Sequence, residues 1–286
     1  MLKLLKSGLY TTVQDLGRFG YRHKGVPVAG VMDTFAAQKA NMLLENPLSA
    51  AVLEITMTGP TLEFEEDTYI ALGGAVLSTV LNNSPVHNYA VYKVNSGDIL
   101  SYGKLEKGFR GYLAIKDGFK SDVVLGSRSF YKPITPINRF KDKDRLPYMV
   151  CKSFEPKSRE LKVESFLDET ALEVSKGPEF ALLKNKQLEG LFFRDFTIAP
   201  ENNRMAYQLT ELIEGHDFSI LTSATLPGTV QLTPSGKLII LMKDGQTTGG
   251  YPRILQLSEK SINILSQKKA GDSVSFVLPT KGPSSI

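Results

Sequence analysis

Two glycine-bent stretches hold the residues best suited to chemistry in this chain. Residues 8–33 place glycines at 17, 20, 25 and 30 among Asp15, Arg18, Arg22, His23 and Asp33. Glycine permits sharp backbone turns, and an arginine presented by such a loop grips a carboxylate or phosphate with two parallel hydrogen bonds. The same residues also read as architecture: Asp15 and Arg18 as a loop-stapling ion pair, His23 as a hydrogen-bonding loop residue, Asp33 as a helix cap.

The second stretch, residues 244–253, follows an apolar run at 238–242 and holds Gln246, Thr247, Thr248, three glycines and Tyr251. Hydroxyls, an amide and glycine-exposed N–H groups at a strand end can cradle a carbonyl oxygen that gains negative charge, or a phosphate. A glycine-rich hairpin or bulge accounts for the same residues. A third cluster, residues 202–208, supplies Arg204 and Tyr207, and it also reads as a turn entering a strand. Glu54 lies in an apolar stretch, as a buried functional carboxylate or as a strand residue facing water.

Other chemistries lack their residues. There is no Walker-type loop, no G-x-G-x-x-G and no G-x-S-x-G. The histidines at 23, 87 and 216 have no metal-ligand spacing, and one cysteine cannot build a zinc site, so no metal is expected.

The elements that must position these residues are mainly β. Residues 68–72, 99–102, 111–115, 237–242 and 273–278 are β-branched or aromatic runs bounded by turn residues. Asn82-Asn83 and residues 95–98 suit turn tips. Asp33 or Thr34 can cap a helix reaching about Glu45, and Ser258 another ending near Gly271. A faint echo links residues 53–60 with 172–178, and 97–102 with 271–276, as expected of two related halves. Residues 139–164, rich in charge and proline, read as a loop or linker. Domains are therefore expected at 1–158 and 159–286.

The 286 residues carry 34 basic and 30 acidic side chains, a net +4 that predicts neither nucleic-acid nor membrane binding. The longest weakly polar run, 69–81, has about 13 residues where a membrane span needs roughly 20. Lys3 and Lys6 interrupt the first apolar stretch, so no signal-peptide core is expected. The lone Cys151 suits a reducing compartment, and a cytoplasmic location is expected.

The stretch 11–18, the segments 25–33, 54–61 and 125–129, and the run 246–252 together resemble the family of the 5-oxoprolinase C subunit. That family includes the KipA-type antagonist of a kinase inhibitor and the carboxyltransferase-like segment of urea carboxylase, also called allophanate hydrolase subunit 2. The resemblance spans roughly residues 1–280. It implies tandem cyclophilin-like β-barrel domains, in accord with the mainly β reading with a few helices. The implied partners are a B subunit (KipI-like) and an A subunit. The implied activity is ATP-dependent opening of the 5-oxoproline lactam to glutamate. ATP would be bound in the complex, in part or wholly by a partner.

By the same resemblance, Asp15, Arg18, Gln246 and Thr247 are expected in the catalytic role. His23, Glu54, Arg204, Tyr207, Thr248 and Tyr251 are expected to bind substrate. Arg18 would hold an acyl phosphate or carboxylate, Asp15 would orient it or accept a proton, and Gln246 with Thr247 would hold the carbonyl oxygen. The alternatives are a KipA-type regulator that sequesters a KipI-like inhibitor, and a carboxyltransferase component using biotin supplied in trans on a urea-like substrate. The chain departs from the common pattern at Val76, where relatives often have aspartate, and at Asn203, Ala206, Gln208 and Gly245.

Overall fold

The computed structural model describes residues 1–218 and 220–279. The chain divides into two compact units, Met1–Gly20 with Val28–Leu167, and Tyr21–Pro27 with Asp168–Ile286. The last residues of the expected second domain, 280–286, lie outside the described residues. Both units are mainly β, as the composition of the strands predicts.

The first unit runs β1 (Leu2–Lys6), β2 (Tyr10–Gln14), α1 (Thr34–Leu43), β3 (Val52–Thr56), β4 (Thr61–Phe64), β5 (Thr68–Leu77) and β6 (Val80–Leu81). It continues with β7 (Ser84–Pro85), β8 (Val91–Val94), β9 (Ile99–Ser101), β10 (Leu105–Ile115) and β11 (Arg145–Leu146). These form two antiparallel sheets, in the orders β11-β1-β4-β9-β6-β7 and β2-β3-β10-β5-β8. Side-chain alternation along the strands builds two cores from the second sheet. Leu53, Ile55, Ile70, Leu72, Leu113 and Ile115 join the core shared with the first sheet. Val52, Ala71, Tyr112 and Ala114, one position out of step, pack against α1 through its small residues Ala36, Ala37 and Ala40. Asp33 caps α1 by accepting from Ala36 N–H at 2.9 Å.

The second unit holds β12 (Ala171–Lys176), α2 (Asn185–Phe192), β13 (Phe196–Asn202), β14 (Ala206–Leu209), β15 (Ser223–Ala224) and β16 (Thr229–Leu232). Then come β17 (Leu238–Leu241), β18 (Thr248–Gly249), β19 (Arg253–Leu257), α3 (Glu259–Ser266) and β20 (Ser273–Val277). Seven strands close a barrel in the order β12-β19-β16-β17-β14-β13-β20, while β15 and β18 form a separate two-stranded ribbon. Tyr207, Ile240, Val230 and Leu255 are successive cross-strand partners around the barrel, all buried. Gln231 is one residue out of step with that row, opposite Ile239 and Arg253. It therefore projects from the other face of the barrel wall.

Two expectations need correction. The charged stretch 139–164 is largely irregular, as expected of a loop, but it is not a linker: it belongs to the first unit. Its sparse apolar residues suffice to bind it to the first unit: β11 pairs with β1, Phe140, Leu146 and Tyr148 are buried, and Phe154 meets Tyr69 edge-on with ring centres 5.4 Å apart. The echo between the halves is not matched by strand pairing either. β12 and β20 are neighbours, whereas β3 and β9 lie in different sheets.

Candidate functional site

In the first unit, the glycine-bent motif acts through one loop, residues 124–130. The Asp15 carboxylate accepts from Gly17 N–H (2.8 Å), Ser127 Oγ (2.6 Å), Ser129 Oγ (2.7 Å) and Arg128 N–H (2.7 Å). Arg18, only 1 % exposed, donates from Nε to the Val124 carbonyl at 3.1 Å and from Nη2 to the Ser129 carbonyl. The two residues grip the same loop, each through the loop's own polar groups. Gly30, at φ 83°, lets the returning chain close on this turn, since a Cβ there would stand 2.7 Å from the Leu16 carbonyl carbon.

Glu54 has other partners. Strand parity puts it opposite Tyr112 on the sheet face beneath α1. Its Oε2 accepts from Met32 N–H at 2.7 Å and from Tyr112 Oη at 3.0 Å, and Arg110 Nε stands 3.9 Å from Oε1. Glu54 and Arg110 are both 1 % exposed. A buried carboxylate of this kind holds its place through a matched cation and hydrogen bonds. Burial and the neighbouring carboxylates of Glu54 and Asp33 push the Tyr112 phenol well above its ordinary pKa. Beside α1, a cavity of about 190 Å³ is lined by Asp33, Phe35, Val76, Tyr89 and Phe166, among others. Burial pushes the Tyr89 phenol up to about 12. Val76 contributes an apolar side chain to that wall.

In the second unit, the segment Tyr21–Pro27 brings the other arginine of the first motif to the second motif. Arg22 starts a short 3-10 helix, Arg22–Lys24, and its Nη2 donates to the Thr225 carbonyl. Thr225 in turn binds the second motif twice: its Oγ1 donates to the Gln246 carbonyl at 2.5 Å, and its N–H to the Thr247 carbonyl at 3.0 Å. Ribbon pairing sets Ala224 opposite Thr248 and Ser223 opposite Gly249. Partial burial lowers the Arg22 pKa from the ordinary guanidinium value. No carboxylate among the described residues forms an ion pair with Arg22.

Gln231 lies under this ribbon with 0 % exposure. Its Nε2 faces the Tyr251 carbonyl at 3.4 Å, which fixes the orientation of the amide, because reversal would set two oxygens face to face. Gln231 Oε1 and Gln246 Oε1 are buried acceptors with no donor among the described residues. The layer is anchored at one side by Arg253, which meets Glu179 with Nη2 to Oε1 at 2.6 Å and Nε to Oε2 at 2.9 Å. These hydrogen bonds hold the Glu179 carboxyl below its ordinary range.

The remaining expected residues fall as follows. Thr247 is buried in the layer, while Thr248 and Tyr251 are exposed on it. His23 is exposed on the short helix beside Arg22. Arg204 is held bidentately by Asp244, Nε to Oδ2 at 2.9 Å and Nη2 to Oδ1 at 3.0 Å. Tyr207 is a barrel-core residue whose phenol donates to the Lys268 carbonyl at 3.1 Å. Sequence reasoning misses Arg110, Tyr112, Thr225 and Gln231. Gln231 leaves one sign, an amide in the otherwise apolar run Val230-Gln231-Leu232. No group of three or more His, Cys, Asp or Glu able to hold a metal occurs among the described residues. No helix among them is long and apolar enough to cross a membrane.

Chemically, the second-unit layer offers a partly desolvated guanidinium for an anion. The first-unit network offers a buried, fully engaged carboxylate. Comparison with known proteins supplies the context. Residues 24–278 match the family model of the carboxyltransferase domain, subdomain A and B. The chain is 34% identical to the C subunit of the Escherichia coli 5-oxoprolinase over 283 residues, 97% of this chain and 91% of that protein. It is 27% identical to the urea amidolyase of Saccharomyces cerevisiae over 96% of this chain, but only 16% of that enzyme. Among solved structures, TTHA0988 superposes with a TM-score of 0.87 at 26% identity, covering 96% of this chain and 55% of that one, so this chain spans little more than half its length. A match along nearly the whole chain, in sequence and in fold, makes this protein a member of the carboxyltransferase domain family, which includes the C subunit of 5-oxoprolinase.

Proposed function

We propose that this chain is the C component of an ATP-dependent 5-oxoprolinase, which acts with the A and B subunits in the cytoplasm to open the lactam of 5-oxoproline to glutamate. One observation carries the reading: the match to the Escherichia coli protein takes in 97% of this chain and 91% of that one, so the two are collinear almost end to end. The second-unit layer supports it, since an anion-binding guanidinium beside amide groups suits a carboxylated lactam. Asp15 and Arg18 contribute by fixing the loop at 124–130.

ATP has no assigned residue here. The N-termini of α1 and α3 already hold the capping oxygens of Asp33 and Ser258, which accept from Ala36 and Ser261, so neither fits a phosphate. In this reading the nucleotide belongs to the partner proteins. The test is to mix the purified chain with its A and B subunits, 5-oxoproline and ATP, and to measure glutamate and phosphate. Release that requires this chain supports the reading. A mixture whose output is unchanged when the chain is left out overturns it.

A second reading, transfer of a carboxyl group to a urea-like acceptor, is favoured by the carboxyltransferase family model and the yeast urea amidolyase match. It requires a biotinylated carrier in trans, and avidin blotting of proteins that co-purify with the chain tests for one.

A further inference from the structure

Gly74 ties two polar side chains to the wall of one cavity. Its N–H donates to Tyr89 Oη at 3.2 Å, and its carbonyl accepts from Asn88 Nδ2 at 2.9 Å. Gly74, Asn88 and Tyr89 all line the cavity of about 190 Å³ beside α1, whose walls belong wholly to the first unit. Asn88 Nδ2 also donates to the Ala75 carbonyl at 3.1 Å, and two carbonyl partners fix the orientation of the amide. Each side chain is left with one unspent group. The Tyr89 hydroxyl hydrogen has no acceptor, and Asn88 Oδ1 has no donor, among the described residues. Because burial pushes the Tyr89 pKa up to about 12, the phenol stays a donor at neutral pH.

The rest of the lining is apolar or acidic. Phe35, Val76 and Phe166 supply hydrocarbon surface, and Phe166 meets Phe35 edge-on with ring centres 5.5 Å apart. The strap that carries Phe166 is bound to the body of the unit where Leu161 N–H donates to the Tyr89 carbonyl at 2.9 Å. Asp33, 0 % exposed, and Glu164 also line the space, and among the described residues no lysine, arginine or histidine does. Lys39 Nζ lies over the Phe35 ring, 5.4 Å from its centre, outside that lining. A dry cavity of about 150 Å³ takes up benzene, so this one has room for such a ring with a small polar group. Carboxylates in the wall without a basic residue turn an anion away.

We propose that this cavity is a binding site for a small uncharged carboxamide on an apolar body. The Tyr89 hydroxyl donates to the carbonyl oxygen, Asn88 Oδ1 accepts from the N–H, and the hydrocarbon part packs on Phe35, Val76 and Phe166. The site is separate from the function proposed above, because a ligand with a carboxylate, such as 5-oxoproline, is repelled by Asp33 and Glu164.

The test uses three probes of similar size on the full chain, with affinities read by ligand-observed NMR. These are benzamide, benzoate, which exchanges the amide for an anion, and toluene, which lacks both polar groups. Benzamide is expected to bind about tenfold more tightly than benzoate. Tyr89→Phe is expected to weaken benzamide about tenfold and to leave toluene within roughly twofold, since only the hydroxyl is removed. Should it fail to fold, Asn88→Ala carries the same expectation. Glu164→Gln, at an exposed position, should bring benzoate about threefold closer to benzamide. Val76→Phe fills the space and should abolish binding of all three probes.

A wild-type chain that does not bind benzamide at millimolar concentration, or binds it no better than benzoate, overturns the site. So does a Tyr89→Phe chain that weakens benzamide and toluene alike, or neither. An unchanged ratio of benzoate to benzamide in Glu164→Gln, or binding that survives Val76→Phe, has the same consequence. Loss of 5-oxoproline hydrolysis in the reconstituted mixture bears only on the function proposed above and leaves this site standing.

Discussion

Arg18 and Arg22 lie four residues apart in one glycine-bent motif, yet they belong to different units and do different work. Arg18 is buried, and its Nε and Nη2 bind backbone carbonyls of a loop more than a hundred residues away in sequence. Arg22 is half-buried, binds one carbonyl, and has no acidic partner among the described residues. Their surroundings differ too: Asp15, beside Arg18, is taken up by four donors, whereas Arg22 has no acidic group beside it among the described residues. Polar groups bonded to their own chain fix its shape.

The largest effect expected from that contrast is on the first unit. Asp15→Ala strips four donors of a charged acceptor, and a hydrogen bond to a charged group contributes about 1.5–3 kcal/mol net. A loss of about 3 kcal/mol or more in urea unfolding is expected, and a loss under about 1 kcal/mol would mean the loop at 124–130 does not depend on it. Next come the two arginines compared directly. Arg18→Ala should cost about 2–3 kcal/mol of stability, and Arg22→Ala less than about 1 kcal/mol, by the same denaturation measurement. Equal costs would break the comparison. Arg18→Lys should not rescue, because an ammonium lacks the planar fork that reaches two carbonyls.

A smaller effect is expected from Gly249→Ala, about 1–2 kcal/mol, as the new methyl presses on the Gln231 amide and forces it to shift. The thermal melt reports the cost. The smallest effect is acid sensitivity of the second unit. Glu179 has its pKa lowered in the folded state by Arg253. Its contribution to stability is therefore complete above the unfolded carboxylate pKa, about 4.3, and is lost as pH falls through the folded value. Urea midpoints measured on either side of about pH 4 should show a shallower acid loss in Glu179→Gln than in wild type. Identical acid limbs would remove the pair from the account.

Much of the local structure is legible in the residues. The β-branched runs form β5, β9, β10, β17 and β20, and Asp33 and Ser258 cap the helices assigned to them. Asn82 and Asn83 take positive φ between β6 and β7, as a turn tip requires. Helix α2 is hard to read because Lys184, at its start, has no capping oxygen. Gln187, three residues on, supplies the bond instead by accepting from the Lys184 N–H. The stretch 139–164 misleads because a few apolar side chains, spaced along a charged strap, are enough to bury it when a sheet edge and an aromatic partner await them.

What the amino-acid order determined by itself was everything that depends on near neighbours: strand alternation, caps, turns, and the glycine-bent motifs with their inventory of donors and acceptors. It could not determine which of those donors would be consumed. That depends on contacts across long loops, such as Ser127 and Ser129 reaching Asp15, or Thr225 lying between Arg22 and Gln246. Two arginines of one motif look alike in a sequence, because charge and hydrogen-bonding capacity are properties of the residue. Burial and partnership are properties of the packed chain, and only the tertiary structure assigned them.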